Sequence, residues 1–252
     1  MTIKPRTEQQ LNIMRKSGEI TGAALRKVLE NIKIGVTGVE LDKIAEDTIR
    51  DLGGRSAFKT VPNYFWTICI TINDQVVHGI PTDRKIADGD IVSIDIGAIY
   101  EGWYTDAAWS VVAGYASKEK KKFLQVGEQA LWGGIKQAVA NNTIGDISSA
   151  IGNIVEGNGY GVVRSLVGHG VGKDLHEEPE IPGIGISGKG PVIPSGATLA
   201  VEVIYTQGNP EVILENDRWT ISSKDGSWGG LFEMTVITGT KGPEIITDWN
   251  AP

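Results

Sequence analysis

A pattern of helix starts and stops recurs at a fixed interval, and it narrows the folds open to this chain more than any single residue does. Thr37 precedes an apolar-periodic run with Glu40 three residues on, and Thr143 precedes another with Asp146 three residues on. A hydroxyl and a carboxylate so spaced satisfy the free N–H groups of a first helical turn. Leu41 and Ile147 follow, and the runs stop at Gly53 and Gly159; all four pairs share an offset of 106 positions. Each run has a helical stretch upstream. One is 8–31, with Leu11, Met14, Ile20, Leu25 and Val28 at helical spacing; the other is capped by Ser117 and runs through Phe123, Ala130 and Ile135. Strand-like runs come after each helix pair, at 90–100 and 197–206. Two helices plus strands, twice, predict an internally duplicated α+β domain. Chance likeness between two capped helices is the alternative. The Gly- and Pro-rich stretch 178–196 reads as a long loop rather than a domain boundary.

At 252 residues the chain can bury a substantial core, and with 40% hydrophobic and 22% charged residues it has the composition of a globular protein. A net charge of −7 argues against a general nucleic-acid or anionic-membrane binder. The single cysteine, Cys69, excludes an intrachain disulfide and fits a reducing compartment. Met1–Arg6 leads into a polar helix with no apolar signal core, so a cytoplasmic location is expected.

Only three histidines are present, and all lie in Gly- or Pro-punctuated turns: His78 before Gly79, His169 between Gly168 and Gly170, and His176 shortly before Pro179. Such turns commonly present functional groups, although a lone histidine is more often structural. The acids are more telling. Alternation along Ile91–Ala98 puts Val92, Ile94 and Ile96 on one face and Asp95 on the other, between Ser93 and Gly97. Glu202 interrupts Leu199, Val201 and Val203 in the same way, and Glu233 breaks the apolar run 231–237. One such acid reads as a solvated sheet face. Three in hydrophobic strands are better explained by a converging site, self-repelling unless cations neutralise it. Imidazole with carboxylate oxygens suits a first-row divalent metal such as Mn, Fe, Co or Zn.

In this order, Cys69-Ile70-Thr71-Ile72-Asn73-Asp74, His78-Gly79-Ile80-Pro81, Gly89–Asp95, Tyr104-Thr105-Asp106, Gly168-His169-Gly170-Val171-Gly172 and His176-Glu177-Glu178-Pro179 resemble the type I methionine aminopeptidases of the pita-bread fold. The resemblance runs from about Lys4 to Thr238. It implies one catalytic domain over 1–252, with pseudo-symmetric halves of about 1–115 and 116–252 around a central curved antiparallel sheet. The implied reaction is removal of the initiator methionine, ahead of a small second residue, by hydroxide activated between two divalent ions (Co, Mn, Fe or Zn). By position, Asp95 falls on a ligand of one metal, His169 and Glu202 on ligands of the other, and Asp106 and Glu233 on the bridging pair. His78, His176 and Glu202 take catalytic positions, Glu202 as proton carrier. Tyr64, Phe65, Cys69 and Trp219, with Leu175 nearby, match the methionine pocket, and His78 and His176 also contact the substrate. N-terminal methionyl peptides and nascent chains are the implied partners, with the ribosome a further candidate, no nucleic acid or membrane bound directly and a monomer as the working form. Applied to the chain itself, this specificity has the mature protein start at Thr2.

Two positions depart from the family pattern: Val203 replaces the usual Pro after Glu202, and Met234 the usual His after Glu233. These, with the unusual segment 226–231, bear on the pocket's shape and on a monovalent-ion site near Asn73. Two other pita-bread functions compete: a proline-specific aminopeptidase, which usually carries an extra N-terminal domain, and a non-catalytic binding protein, which typically has lost ligands. Only 94 residues precede Asp95, and all five ligand positions are filled.

Overall fold

A computed structural model describes residues 3–250; Met1 and Thr2, and with them the expected processing site, lie outside the described residues. Two helices, α1 (Glu8–Glu30) and α2 (Gly38–Asp51), precede the strands β1 (Arg55–Ser56), β2 (Ile68–Ile72), β3 (Gln75–Val77), β4 (Ile91–Tyr100) and β5 (Trp103–Val112). A second pair, α3 (Lys118–Ile135) and α4 (Ile144–Gly157), is followed by β6 (Gly161–Val162), β7 (Val167–Gly170), β8 (Glu177–Pro182), β9 (Thr198–Thr206), β10 (Val212–Leu214), β11 (Ile221–Ser223), β12 (Gly229–Ile237) and β13 (Glu244–Ile245).

The repeated caps form as the spacing predicts. The Glu40 carboxylate accepts from the Thr37 N–H at 2.8 Å, and that of Asp146 accepts from the Thr143 N–H at 2.7 Å. Past the helix ends, Gly53 and Gly159 take φ of +84° and +80°, the left-handed region where glycine carries no Cβ penalty. The Ser117 hydroxyl accepts from the Lys120 N–H at 3.3 Å and so starts α3.

Ten strands make one sheet with the path β1-β4-β5-β12-β9-β7-β8; β2 joins β4, β6 joins β9 and β13 joins β12. All pairings between these strands are antiparallel. Within this sheet, strands that follow the first helix pair meet those that follow the second along one seam, β5 against β12, while β3 pairs with β11 in a separate three-stranded sheet with β10. Helix α1 packs on β4 and β5, and α3 packs on β9 and β12. The main core lies between helices and sheet and includes Leu25, Leu41, Ile94, Phe123, Val201 and Phe232. The other face of the sheet carries the acids. A small face of α1 also receives residues 246–248: a Cβ on Gly18 would overlap the Ile246 carbonyl, and one on Gly22 would lie 3.1 Å from the Asp248 carbonyl.

The expected loop 178–196 is only partly a loop. Its first residues belong to β8, which pairs with β7 at the sheet edge. Pro179 and Pro182 remove the usual strand signal, and an edge strand tolerates them because a missing N–H there breaks no ladder.

Candidate metal centre

Five side chains singled out in the sequence come from five strands: Asp95 from β4, Asp106 from β5, His169 from β7, Glu202 from β9 and Glu233 from β12. Register brings them together. Gly97 sits opposite Asp106, and Ala108 sits opposite both Asp95 and Glu233, so the positions facing these acids carry small residues. Glu202 and Glu233 are direct cross-strand partners. Two carboxylates in that relation repel each other unless something positive lies between them. Glycines on either side admit His169: a Cβ on Gly168 would come within 2.7 Å of the Ala200 carbonyl, and one on Gly170 would overlap the Glu178 carbonyl.

Asp106, His169 and Glu233 each present a ligand atom within 4.8 Å of the others, and all three are buried. His169 Nε2 lies 3.9 Å from Glu233 Oε1. Its Nδ1 is 2.9 Å from the Gly170 carbonyl, which can only accept, so Nδ1 carries the proton and the Nε2 lone pair faces the acids. Burial pushes the His169 pKa down to about 4, keeping the ring neutral. The acids move the other way. Burial raises Asp106 to about 7 and, with the nearby Asp106, Glu202 to about 8. Asp95 and Glu233 are also raised, first by burial and then by the neighbouring carboxylates.

Asp95 Oδ1 and Glu233 Oε1 are buried without any hydrogen-bond partner. An unpartnered carboxylate oxygen in the interior is costly, and a coordinated cation removes that cost. Orphaned oxygens, mutually repelling acids and an imidazole with a free lone pair fit divalent metal.

Beside the acids is a cavity of about 130 Å³ lined by Phe58, Val61, Tyr64, Cys69, His78, Asp95, Asp106, Leu175, His176 and Trp219. Tyr64 stacks edge-on against Trp219 with ring centroids 5.0 Å apart, and its hydroxyl lies 3.1 Å from Cys69 Sγ. Burial first, then Asp95, pushes the Cys69 thiol up, so it stays neutral. The His176 ring stands 4.5 Å from that of His169, and its loop is fixed by Glu177. That carboxylate accepts from the Lys173 and Asp174 N–H groups at 2.6 and 3.1 Å and pairs with Arg6. His78 holds a left-handed φ of +58°, the kind of backbone strain that concentrates at functional sites. Burial lowers the pKa of both His78 and His176.

One expected pocket residue is elsewhere. Phe65 is 72% exposed, its ring against Trp66, and does not line the cavity. Phe58 and Val61, which do, were missed; both lie in or beside a single 3₁₀ turn, Phe58–Thr60, where no periodicity marks the inward face.

Comparison with known proteins agrees with this geometry. The profile of metallopeptidase family M24 matches residues 12–237, and the chain belongs to that family. Within it, the chain groups with the type I methionine aminopeptidases. It is 40% identical over 242 residues to methionine aminopeptidase 1 of Bacillus subtilis, covering 96% of this chain and 98% of the relative. Against the methionine aminopeptidase of Clostridium perfringens identity is 39%, with 96% and 97% covered. The crystal structure of the Thermotoga maritima methionine aminopeptidase superposes with a TM-score of 0.95 at 36% identity, over 98% of this chain and 99% of that one. The fold is therefore the pita-bread fold. A prolidase from Pyrococcus furiosus shares that fold at a TM-score of 0.79 and 23% identity, with 65% of its own length covered.

Proposed function

We propose that this methionyl aminopeptidase removes the initiator methionine from peptides and nascent chains with a small second residue, using two divalent ions of the Co, Mn, Fe or Zn type. The observation that carries the reading is the buried Asp106–His169–Glu233 cluster with its orphaned oxygens, set beside a largely apolar cavity. Asp106 and Glu233 would bridge the ions, Asp95 would hold one, and His169 with Glu202 the other. Such ions, when bound, activate water and polarise the scissile carbonyl.

The chain's own groups do the rest. Tyr64, Cys69, Leu175 and Trp219 enclose the methionine side chain, whose thioether packs well against aromatic rings and a neutral thiol. His176, neutral near pH 7, donates a ring N–H to the scissile carbonyl oxygen and holds the charge that develops there. His78 contacts the peptide on its leaving-amide side. Glu202 carries the proton to the departing amine, since cleavage must deliver one there.

The working unit is proposed as one catalytic domain of two pseudo-symmetric halves (about 1–115 and 116–252), monomeric and cytoplasmic, meeting nascent chains at the ribosome. No helix among the described residues is long and apolar enough to cross a membrane. The deciding experiment is metal-dependent kinetics on Met-Ala, Met-Pro and Ala-Pro peptides, with metal analysis of the same sample. Cleavage after methionine with about two ions per chain is expected; preferential cleavage of Ala-Pro moves the chain to the proline-specific class.

A further inference from the structure

Along the seam, backbone pairing between β5 and β12 is confined to two positions, Glu233 opposite Ala108 and Met234 opposite Ala107. On either side the strands are joined through hydroxyls instead. At one end the Thr235 hydroxyl accepts from the Asp106 N–H at 3.0 Å and donates to the Asp106 carbonyl at 2.8 Å. At the other, the Ser110 hydroxyl accepts from the Leu231 N–H at 3.0 Å and donates to the Leu231 carbonyl at 2.7 Å. Each hydroxyl replaces a pair of ladder bonds and holds the two backbones one oxygen atom further apart.

The two ends differ in what they hold. Ser110 secures the main chain of Leu231 and shares a 2.7 Å hydrogen bond with the Ser93 hydroxyl, neither of them a candidate ligand, whereas Thr235 secures the main chain of Asp106 itself. Thr235 is itself fixed from behind, its N–H donating to the Thr247 hydroxyl at 2.9 Å and its carbonyl accepting from the Ile246 N–H at 3.0 Å. Thr235 and Thr247 are completely buried.

We propose that Thr235 is a positioning residue for the metal centre, its hydroxyl setting the placement of Asp106 relative to Glu233, two residues away on the same strand. This rests on the metal-centre reading above. Valine matches threonine in shape but lacks the hydroxyl. In Thr235→Val the Asp106 N–H and carbonyl are left unpaired, or the strands close directly and carry Asp106 towards β12. Serine keeps both bonds. Ser110→Ala removes the matching bridge without touching a candidate ligand.

The test is calorimetric titration of metal-free protein with Mn(II), alongside melting of the same metal-free samples. Thr235→Val is expected to weaken Mn(II) binding by roughly 10–100-fold, the range typical of residues that orient ligands. Thr235→Ser should stay within a few-fold of wild type. Ser110→Ala should lower the melting temperature yet keep wild-type affinity. Equal loss of affinity in Thr235→Val and Ser110→Ala overturns the proposal, because the seam would then act only as scaffold; so does wild-type affinity in Thr235→Val. Should the valine variant not fold, Thr235→Ala replaces it, where water can occupy the vacated space; the same order is expected, and equality with wild type overturns. Wild-type protein that takes up no Mn(II) contradicts the metal-centre reading itself.

Discussion

Asp106 has its main chain tied to Thr235 on one strand while its carboxyl faces Glu233 and His169. Asp106→Ala is therefore expected to leave a folded protein but to reduce kcat by more than the ~10–100-fold that outer-shell changes cost; circular dichroism with methionyl-peptide kinetics checks both halves of that statement. The raised acids also give the metal-free site a pH signature. Unfolded, Asp and Glu titrate near pH 4. Folded, Asp106 titrates at about 7 and Glu202 at about 8. Between about pH 4 and 8 the folded metal-free protein holds protons that the unfolded chain has lost, so its stability falls as pH rises through that window. Metal uptake must expel those protons. Calorimetry at pH 7 in two buffers of different ionisation enthalpy should show net proton release, and identical heats in the two would contradict it. At this scale the strand acids were legible because an apolar strand with period 2 makes a buried-side carboxylate conspicuous. His169 was legible through its flanking glycines. Phe65 was misplaced because it sits in an irregular turn with no period to say which way it points, and Thr235 went unmarked because a threonine in a strand is unremarkable until its hydroxyl's partners are known.

The helices show what elements contribute. Their caps could be read from sequence because a capping box is local, needing only four consecutive residues. Strand β8 could not, because its identity comes from pairing with β7 rather than from its own proline-bearing composition. Nor could the docking of residues 246–249 on α1. There Gly18 and Gly22 admit residues 246–248, and Arg26 Nε donates to the Trp249 carbonyl at 2.6 Å. Gly18→Ala should displace this segment at a cost of about 1–3 kcal/mol, the usual penalty of overpacking. For a chain of this size that is several degrees of Tm. Because Ile246 and Thr247 hold Thr235, the extra stability conferred by metal should shrink in the same variant, which paired melts with and without Mn(II) measure.

For the molecule as a whole, binding to the folded site alone makes metal a stabiliser, worth about 2.7 kcal/mol at a free concentration 100 times Kd. Tm should climb steadily with added Mn(II) and fall back on chelation; a flat response would count against the site. The proposed ligands are divided by the seam, Asp95 and Asp106 on strands before α3, His169, Glu202 and Glu233 on strands after it. Neither portion owns a complete coordination set. The ions then act as a rivet through the joint as well as a catalyst: a chain nicked at the exposed Tyr115, between β5 and α3, should re-form from its two fragments more tightly with metal than without, turning assembly itself into a gauge of occupancy.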